Sequence, residues 1–270
     1  MSSQDEGYVG YDPFWHYVRY LLHRRALLTA LVNISSNIMP SRRALLRELV
    51  SLHLITDNGQ LTKMGERLVE YFARRNRLVK DILNNLRTLN EAKRDLDSRG
   101  ILYQEKRTRS GVSYNIVEAE VRSILESVCK HMRVSYRMGN VRVVFRIDGR
   151  VFVLSKMVDG VIPAPPENPM ILLEIKEYWG KKHGGSKMTN AIYESYVVAR
   201  ELNDFMSIYG IKVYYVVIID GKEQWAARMS DLGRFVDLVN MGLIDRLFYG
   251  RNIQQELPKF LKHILSSNEY

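Results

Sequence analysis

Two acids and a lysine frame the chemistry open to this chain. The stretch Met170-Ile-Leu-Leu-Glu-Ile-Lys176 begins with four apolar residues and then carries Glu174 and Lys176, two positions apart. In a strand that spacing puts both side chains on one face. The apolar run predicts a strand covered on both sides, and charge at the end of such a strand is costly unless it is paired or used. Ligands of such sheets bind just beyond the strand ends. Upstream, Val151 to Val158 reads as a strand that ends in Asp159-Gly160. If the two strands are neighbours, the Asp159 and Glu174 carboxylates converge. With the Ile175 carbonyl they make a set of hard oxygen donors, suited to Mg²⁺ rather than to zinc. A lysine beside them can orient or deprotonate a water and offset the charge of a phosphate. Such an assembly serves phosphodiester hydrolysis.

The elements that must position these residues follow from periodicity. Ile116 to Met132 predicts an amphipathic helix with Val117, Val121, Ile124, Leu125, Val128 and Met132 on one face. Val141 to Ile147 alternates apolar and basic residues. Asp148-Gly149 predicts a two-residue hairpin turn, with Arg150 to Ile162 as the returning strand. Pro163 to Pro169 holds four of the seven prolines and predicts a stiff connector. Met170 to Lys176 is the third strand, Gly180 to Gly185 a loop, Ser186 to Tyr209 a long helix, and Ile211 to Ile219 a buried parallel strand; the rest reads as helical. The order αβββαβ followed by helices predicts an α/β fold, α+β over the whole chain, with a mixed sheet flanked by helices.

Asp159, the connector and the apolar strand closing on Glu174-Ile175-Lys176, with a helix before and after, resemble the PD-(D/E)XK nuclease superfamily, the restriction-endonuclease-like fold, over about residues 116–220. The resemblance implies that Asp159 is the family aspartate, Glu174 the second acid and Lys176 the lysine, with Mg²⁺ held by Asp159, Glu174 and the Ile175 carbonyl. It also implies a further acid from the preceding helix; Glu118, at the edge of the apolar face, is preferred to Glu120. The proline that precedes the aspartate in the family is replaced here by Val158. The loop after the lysine, Glu177-Tyr-Trp-Gly-Lys-Lys-His-Gly-Gly185, offers Lys181 and Lys182 to a phosphate backbone. Lys187, Asn190 and Glu194 fall at i, i+3 and i+7, one stripe near the start of the next helix. His183 is not needed as a base, because Lys176 fills that role.

The other half of the chain bears on the partner. Of 40 basic and 30 acidic residues, residues 1–115 hold 19 and 12, a net of +7, while residues 116–270 are near balance. A basic half points to a polyanion. Phe14 to Leu31 reads as a helix. Ser41 is a candidate N-cap for a helix over Arg42 to His53, and Leu54 to Thr62 reads as two short pieces about the Asp57-Asn58-Gly59 turn. Lys63 to Phe72 and Leu78 to Arg99 read as helices, and a second hairpin has Arg107 to Gly111 at its tip. Leu45 to Gly65, with Leu61-Thr62-x-x-Gly65, and then Leu96 to Ile116 resemble the recognition helix and wing of winged-helix domains. That resemblance implies two DNA-contacting units, about 14–72 and 78–115, using Arg42, Arg43 and Arg47 on the first helix and Lys106, Arg107 and Arg109 at the second wing.

The single cysteine, Cys129, excludes an internal disulfide, and no C-x-x-C of a structural zinc site is present. No apolar run approaches the ~18 residues of a membrane span, the N-terminus is polar and acidic, and no phosphate-binding G-x-x-x-x-G-K-[ST] occurs. The expectation is a cytoplasmic, Mg²⁺-dependent type II restriction endonuclease acting on double-stranded DNA. It has a recognition region over 1–115 and a nuclease domain over 116–270. It acts as a homodimer, with a cognate DNA methyltransferase modifying the same site. A repair or junction-resolving nuclease of the same fold, or a winged-helix regulator without catalysis, are the other readings of the same residues.

Overall fold

The computed structural model describes residues 12–108, 111–180 and 186–267. Two compact units divide between Leu78 and Val79. The segment 79–115, read from the sequence with the recognition region, thus groups with the sheet.

The first unit is helical. Asp12 caps α1 (Pro13–His23) by accepting from the Phe14 amide at 2.8 Å. The continuous helix expected to Leu31 breaks at Arg24, and α2 (Arg25–Ser35) follows. In α3 (Arg43–Ser51) the N-cap position is Arg42 and no side chain caps it, so Ser41 does not serve as expected. The Leu54–Thr62 pieces meet through an isolated antiparallel bridge, Ile55 to Leu61, and form no strand pair of the kind expected of a wing. The Thr62-x-x-Gly65 spacing has a physical cause. Thr62 Oγ1 accepts from the Gly65 amide at 3.2 Å, and a Cβ on Gly65 would meet the Leu54 carbonyl oxygen at 2.2 Å. Phe14, Trp15 and Tyr71 stack edge to face over this core.

The next helix, α4 (Lys63–Asn85), joins the stretch read as helix to Phe72 with the one read as helix from Leu78; the arginines between them are good helix formers. The real break is at 86–88. There Thr88 and Glu91 form a capping box that starts α5 (Leu89–Ser98). Strands β1 (Glu105–Thr108) and β2 (Gly111–Tyr114) make the second hairpin.

The sheet-bearing core begins with α6 (Ile116–Met132), at the expected bounds. A strand the sequence reading did not expect, β3 (Arg137–Val141), comes first; the strand expected over 141–147 is the shorter β4 (Val144–Ile147), and the one expected over 150–162 divides into β5 (Arg150–Val153) and β6 (Val158–Ile162). β4 and β5 form a two-stranded sheet of their own among the described residues, through the expected turn, where Asp148 and Gly149 both have positive φ. Then come β7 (Ile171–Glu177), α7 (Ser186–Tyr209) and β8 (Tyr214–Asp220). They are followed by α8 (Lys222–Ala227), α9 (Met229–Asn240), β9 (Arg246–Tyr249) and α10 (Ile253–Ser267). Strand β9 interrupts the all-helical ending expected, being too short to show periodicity. The main sheet runs β3-β6-β7-β8-β9, antiparallel up to β7 and parallel from β7 to β9. It is a mixed α/β fold. One face of β7 and β8 (Ile171, Leu173, Val216, Ile218) packs on α6 and α10. By strand alternation Leu172, Glu174, Lys176 and Tyr215 face the other way, and Lys176 meets α7 there.

Candidate active site

Register brings the acids together. Gly160 pairs with Leu173 across β6 and β7, so one step further Asp159 comes opposite Glu174. Asp159 Oδ2 accepts from the Ile175 amide at 2.7 Å, which fixes the carboxylate at the strand end. Burial first, and then the Glu174 charge, push the Asp159 carboxyl up to about 6.

Glu174 is 2% exposed and lies between two ammonium groups. Lys176 Nζ stands 2.5 Å and Lys156 Nζ 3.0 Å from the same oxygen, Oε1. Both lysines also reach Glu194 Oε2 on α7, at 3.2 and 2.5 Å. Burial works against the Lys176 ammonium, but Glu174, with help from Glu194 and Asp159, outweighs it and holds its pKa above the usual lysine range. For Glu194, burial raises and the lysines lower; the lysines win, and it ionises below its ordinary value. Beneath the group, Tyr215 is driven well up by burial and then by Glu174.

Of the residues read from sequence, the structure brings Asp159, Glu174, Ile175 and Lys176 together. Glu118 goes elsewhere. It sits on α6, which covers the opposite face of the sheet, and its carboxylate holds Arg122 at 2.9 Å. Glu120 is fully buried and bound by Arg87 and Arg99, both at 2.6 Å. The last acid of β7, Glu177, also points to the α6 side, where it accepts from the Val117 and Glu118 amides and caps that helix. Asn190 is exposed one turn before Glu194. Lys181 and Lys182 lie outside the described residues, and of the Lys187 side chain nothing is described. Arg42, Arg43 and Arg47 are exposed in the helical unit. Lys106 is exposed on β1; Arg109 lies outside the described residues, as does the Arg107 side chain.

The sequence pattern does not single out Lys156. It falls in the turn between β5 and β6, inside what reads as one continuous strand, and nothing in its spacing ties it to Glu174. Glu194 did carry a signal, as the third member of the stripe on α7.

The donor set fits a divalent cation. Glu174 Oε2 is buried and has no hydrogen-bond partner among the described residues, which is costly unless something fills it. Register sets Glu174 opposite Asp159, and its charge adds to burial in raising the Asp159 carboxyl. No group of three or more His, Cys, Asp or Glu side chains that could hold a metal occurs among the described residues. Asp159, Glu174 and the Ile175 carbonyl would therefore leave the remaining positions to water, as Mg²⁺ prefers.

The family described as "Domain of unknown function (DUF7687)" matches residues 79–264. The chain belongs to this family. The match opens where the sheet-bearing unit opens and includes Asp159, Glu174, Lys176, Lys156 and Glu194, whereas residues 12–78 lie before it. No curated protein matches the chain. No described helix is long and apolar enough to cross a membrane.

Proposed function

We propose that the sheet-bearing unit is a Mg²⁺-dependent nuclease that hydrolyses DNA phosphodiesters. The observation that carries this is the convergence of Asp159 with Glu174-Ile175-Lys176 on adjoining strands, on the face opposite α6. Mg²⁺ would supply Lewis-acid polarisation of the phosphate and a more acidic water. The protein's part is to hold the acids at the end of β7 and to keep a cationic lysine 2.5 Å from Glu174. Lys176, cationic in the resting site, is placed to offset charge gathering on the phosphate and to position the attacking water. Glu194 restrains that lysine from α7.

The helical unit supports a DNA-contacting role through exposed Arg42, Arg43 and Arg47. Guanidinium forks suit phosphates and guanine edges. A type II restriction role, with a homodimer supplying two sites for a double-strand cut and a methyltransferase protecting the target, rests on the resemblance.

Incubation of supercoiled and linear DNA with Mg²⁺, and then with EDTA, tests the reading. Metal-dependent fixed fragments support restriction, and structure-selective nicking supports a repair enzyme. Binding without cutting overturns the catalytic reading. Replacing Arg43 and Arg47 together by alanine is expected to weaken DNA binding and flatten its salt dependence by roughly one to two units of slope. An unchanged slope in a salt titration would take those arginines out of the interface.

A further inference from the structure

The hydrolase reading uses Lys176 and leaves Lys156 without a role. Yet Lys156 is as deeply involved in the site. Its ammonium bonds Glu174 Oε1 at 3.0 Å and Glu194 Oε2 at 2.5 Å, the same two carboxylate oxygens that Lys176 holds. Three acids, Asp159, Glu174 and Glu194, thus face two lysines. Both ammonium groups crowd one oxygen of Glu174, while its other oxygen is buried with no partner among the described residues.

A divalent ion arriving at Asp159 and Glu174 would meet two positive charges already on the Glu174 carboxylate. At such separations in a partly buried site each costs a large share of the ion's attraction to the acids. The two lysines differ in what they can do about this. Lys176 is part of β7, 8% exposed and held in the β7–β8 ladder, where it pairs with Ile219. Lys156 lies outside the strands, in the turn between β5 and β6, with its side chain 30% exposed. Its long stem can carry the charge into solvent without moving backbone.

We infer that Lys156 is a built-in counter-ion of the acidic site, holding Glu174 and Glu194 in the resting protein and leaving Glu174 when a divalent cation binds. The inference rests on the metal-site reading above and adds a competitor to it. The tether sets the metal affinity low and keeps the buried Glu174 compensated in the meantime. It also explains why two lysines share one carboxylate oxygen: one is permanent and one is exchangeable.

Calorimetric titration of Mg²⁺ into the full chain, without DNA, tests this on the wild type, Lys156→Met, Lys156→Gln, Lys156→Arg and Glu174→Gln, with the thermal midpoint followed in parallel. The neutral variants are expected to bind Mg²⁺ at least about tenfold more tightly, which is about 1.4 kcal/mol. They should melt lower than wild type without Mg²⁺ and gain more from it. Lys156→Arg keeps the charge and is expected to bind as the wild type does. Equal or weaker binding by both neutral variants overturns the inference while wild-type binding that depends on Glu174 leaves the metal site standing. Tightening by Lys156→Arg as large as by Lys156→Met also overturns it, because the effect would not be one of charge. Should neither wild type nor variants show binding that Glu174→Gln abolishes, the inference and the metal-site reading fall together.

Discussion

Two buried charge clusters lie at the same end of β7 and β8, on opposite faces of the sheet, and they are built differently. On the α6 side, Arg87 is nearly enclosed. Its Nε bonds Asp220 at 2.7 Å, and its two terminal nitrogens bond Asp95 and Glu120, each at 2.6 Å. The Arg87 amide takes the second Asp220 oxygen, and Arg99 takes the second Glu120 oxygen. Donors and acceptors match, so this cluster pins the 86–88 junction, α6 and the end of β8 to one another. On the α7 side the matching fails. Two lysines share one oxygen of Glu174, its other oxygen has no partner among the described residues, and Glu194 and Lys156 are partly open to solvent. A satisfied cluster holds structure. An unsatisfied one at a strand end has capacity left for a ligand.

The comparison can be broken most sharply at Lys176. Lys176→Ala is expected to cut the rate of DNA cleavage about 100- to 10,000-fold while DNA binding persists, as measured by a cleavage time course beside a binding titration. Wild-type cleavage would remove Lys176 from the chemistry. The opposite cluster should answer in stability instead. Arg87→Met leaves buried Asp220 without its cation and Glu120 with Arg99 alone, and is expected to cost about 3–5 kcal/mol in denaturant unfolding; an unchanged midpoint would deny the cluster its structural role. Face parity sets the next test. Glu194→Gln is expected to slow cleavage about 10- to 100-fold, as losing a restraint on a working group does, whereas Glu118→Gln, on the α6 side, should leave the rate within about twofold. Equal losses would mean that both faces contribute.

The smallest effect is a pH dependence. Burial lifts the Asp220 carboxyl from 3.8 to about 6, against the pull of Arg87. The folded state then favours the protonated acid, so the contribution from this ionisation is fullest below the unfolded value and is lost as pH rises through about 6. The stability margin of wild type over Asp220→Asn should narrow between about pH 4 and pH 7. A margin that widens over that window would show the ion pair dominating burial.

Local signals made much of the fold legible. The bounds of α6 and α7 followed from helical periodicity, and the Asp148-Gly149 turn from residues that tolerate positive φ. What misled was continuity. Arg150 to Ile162 reads as one strand, yet Ser155 donates its amide to Glu201 and Lys156 turns to the acids, so the chain leaves one sheet and enters another. The helices read as ending at Phe72 and starting at Leu78 are one helix, and the reading of a helix from Leu78 to Arg99 runs over the break at 86–88. For the site, Asp159, Glu174 and Lys176 were readable because strand alternation and a buried apolar run make charge conspicuous. Glu118 was preferred over other acids because a helix edge can be read from sequence, whereas the side of the sheet it covers cannot.

The sequence by itself determined that a Glu-x-Lys pair ends a buried strand, with Asp159 upstream, since a period of two and an apolar run are local properties of the chain. The tertiary structure decided which charges meet. The register of β6 against β7 sets Asp159 opposite Glu174, and the crossover through α7 brings Glu194 to that face. The turn at 154–157 delivers Lys156. These pairings join residues 15 to 38 positions apart, and only packing of the sheet between its helices fixes them.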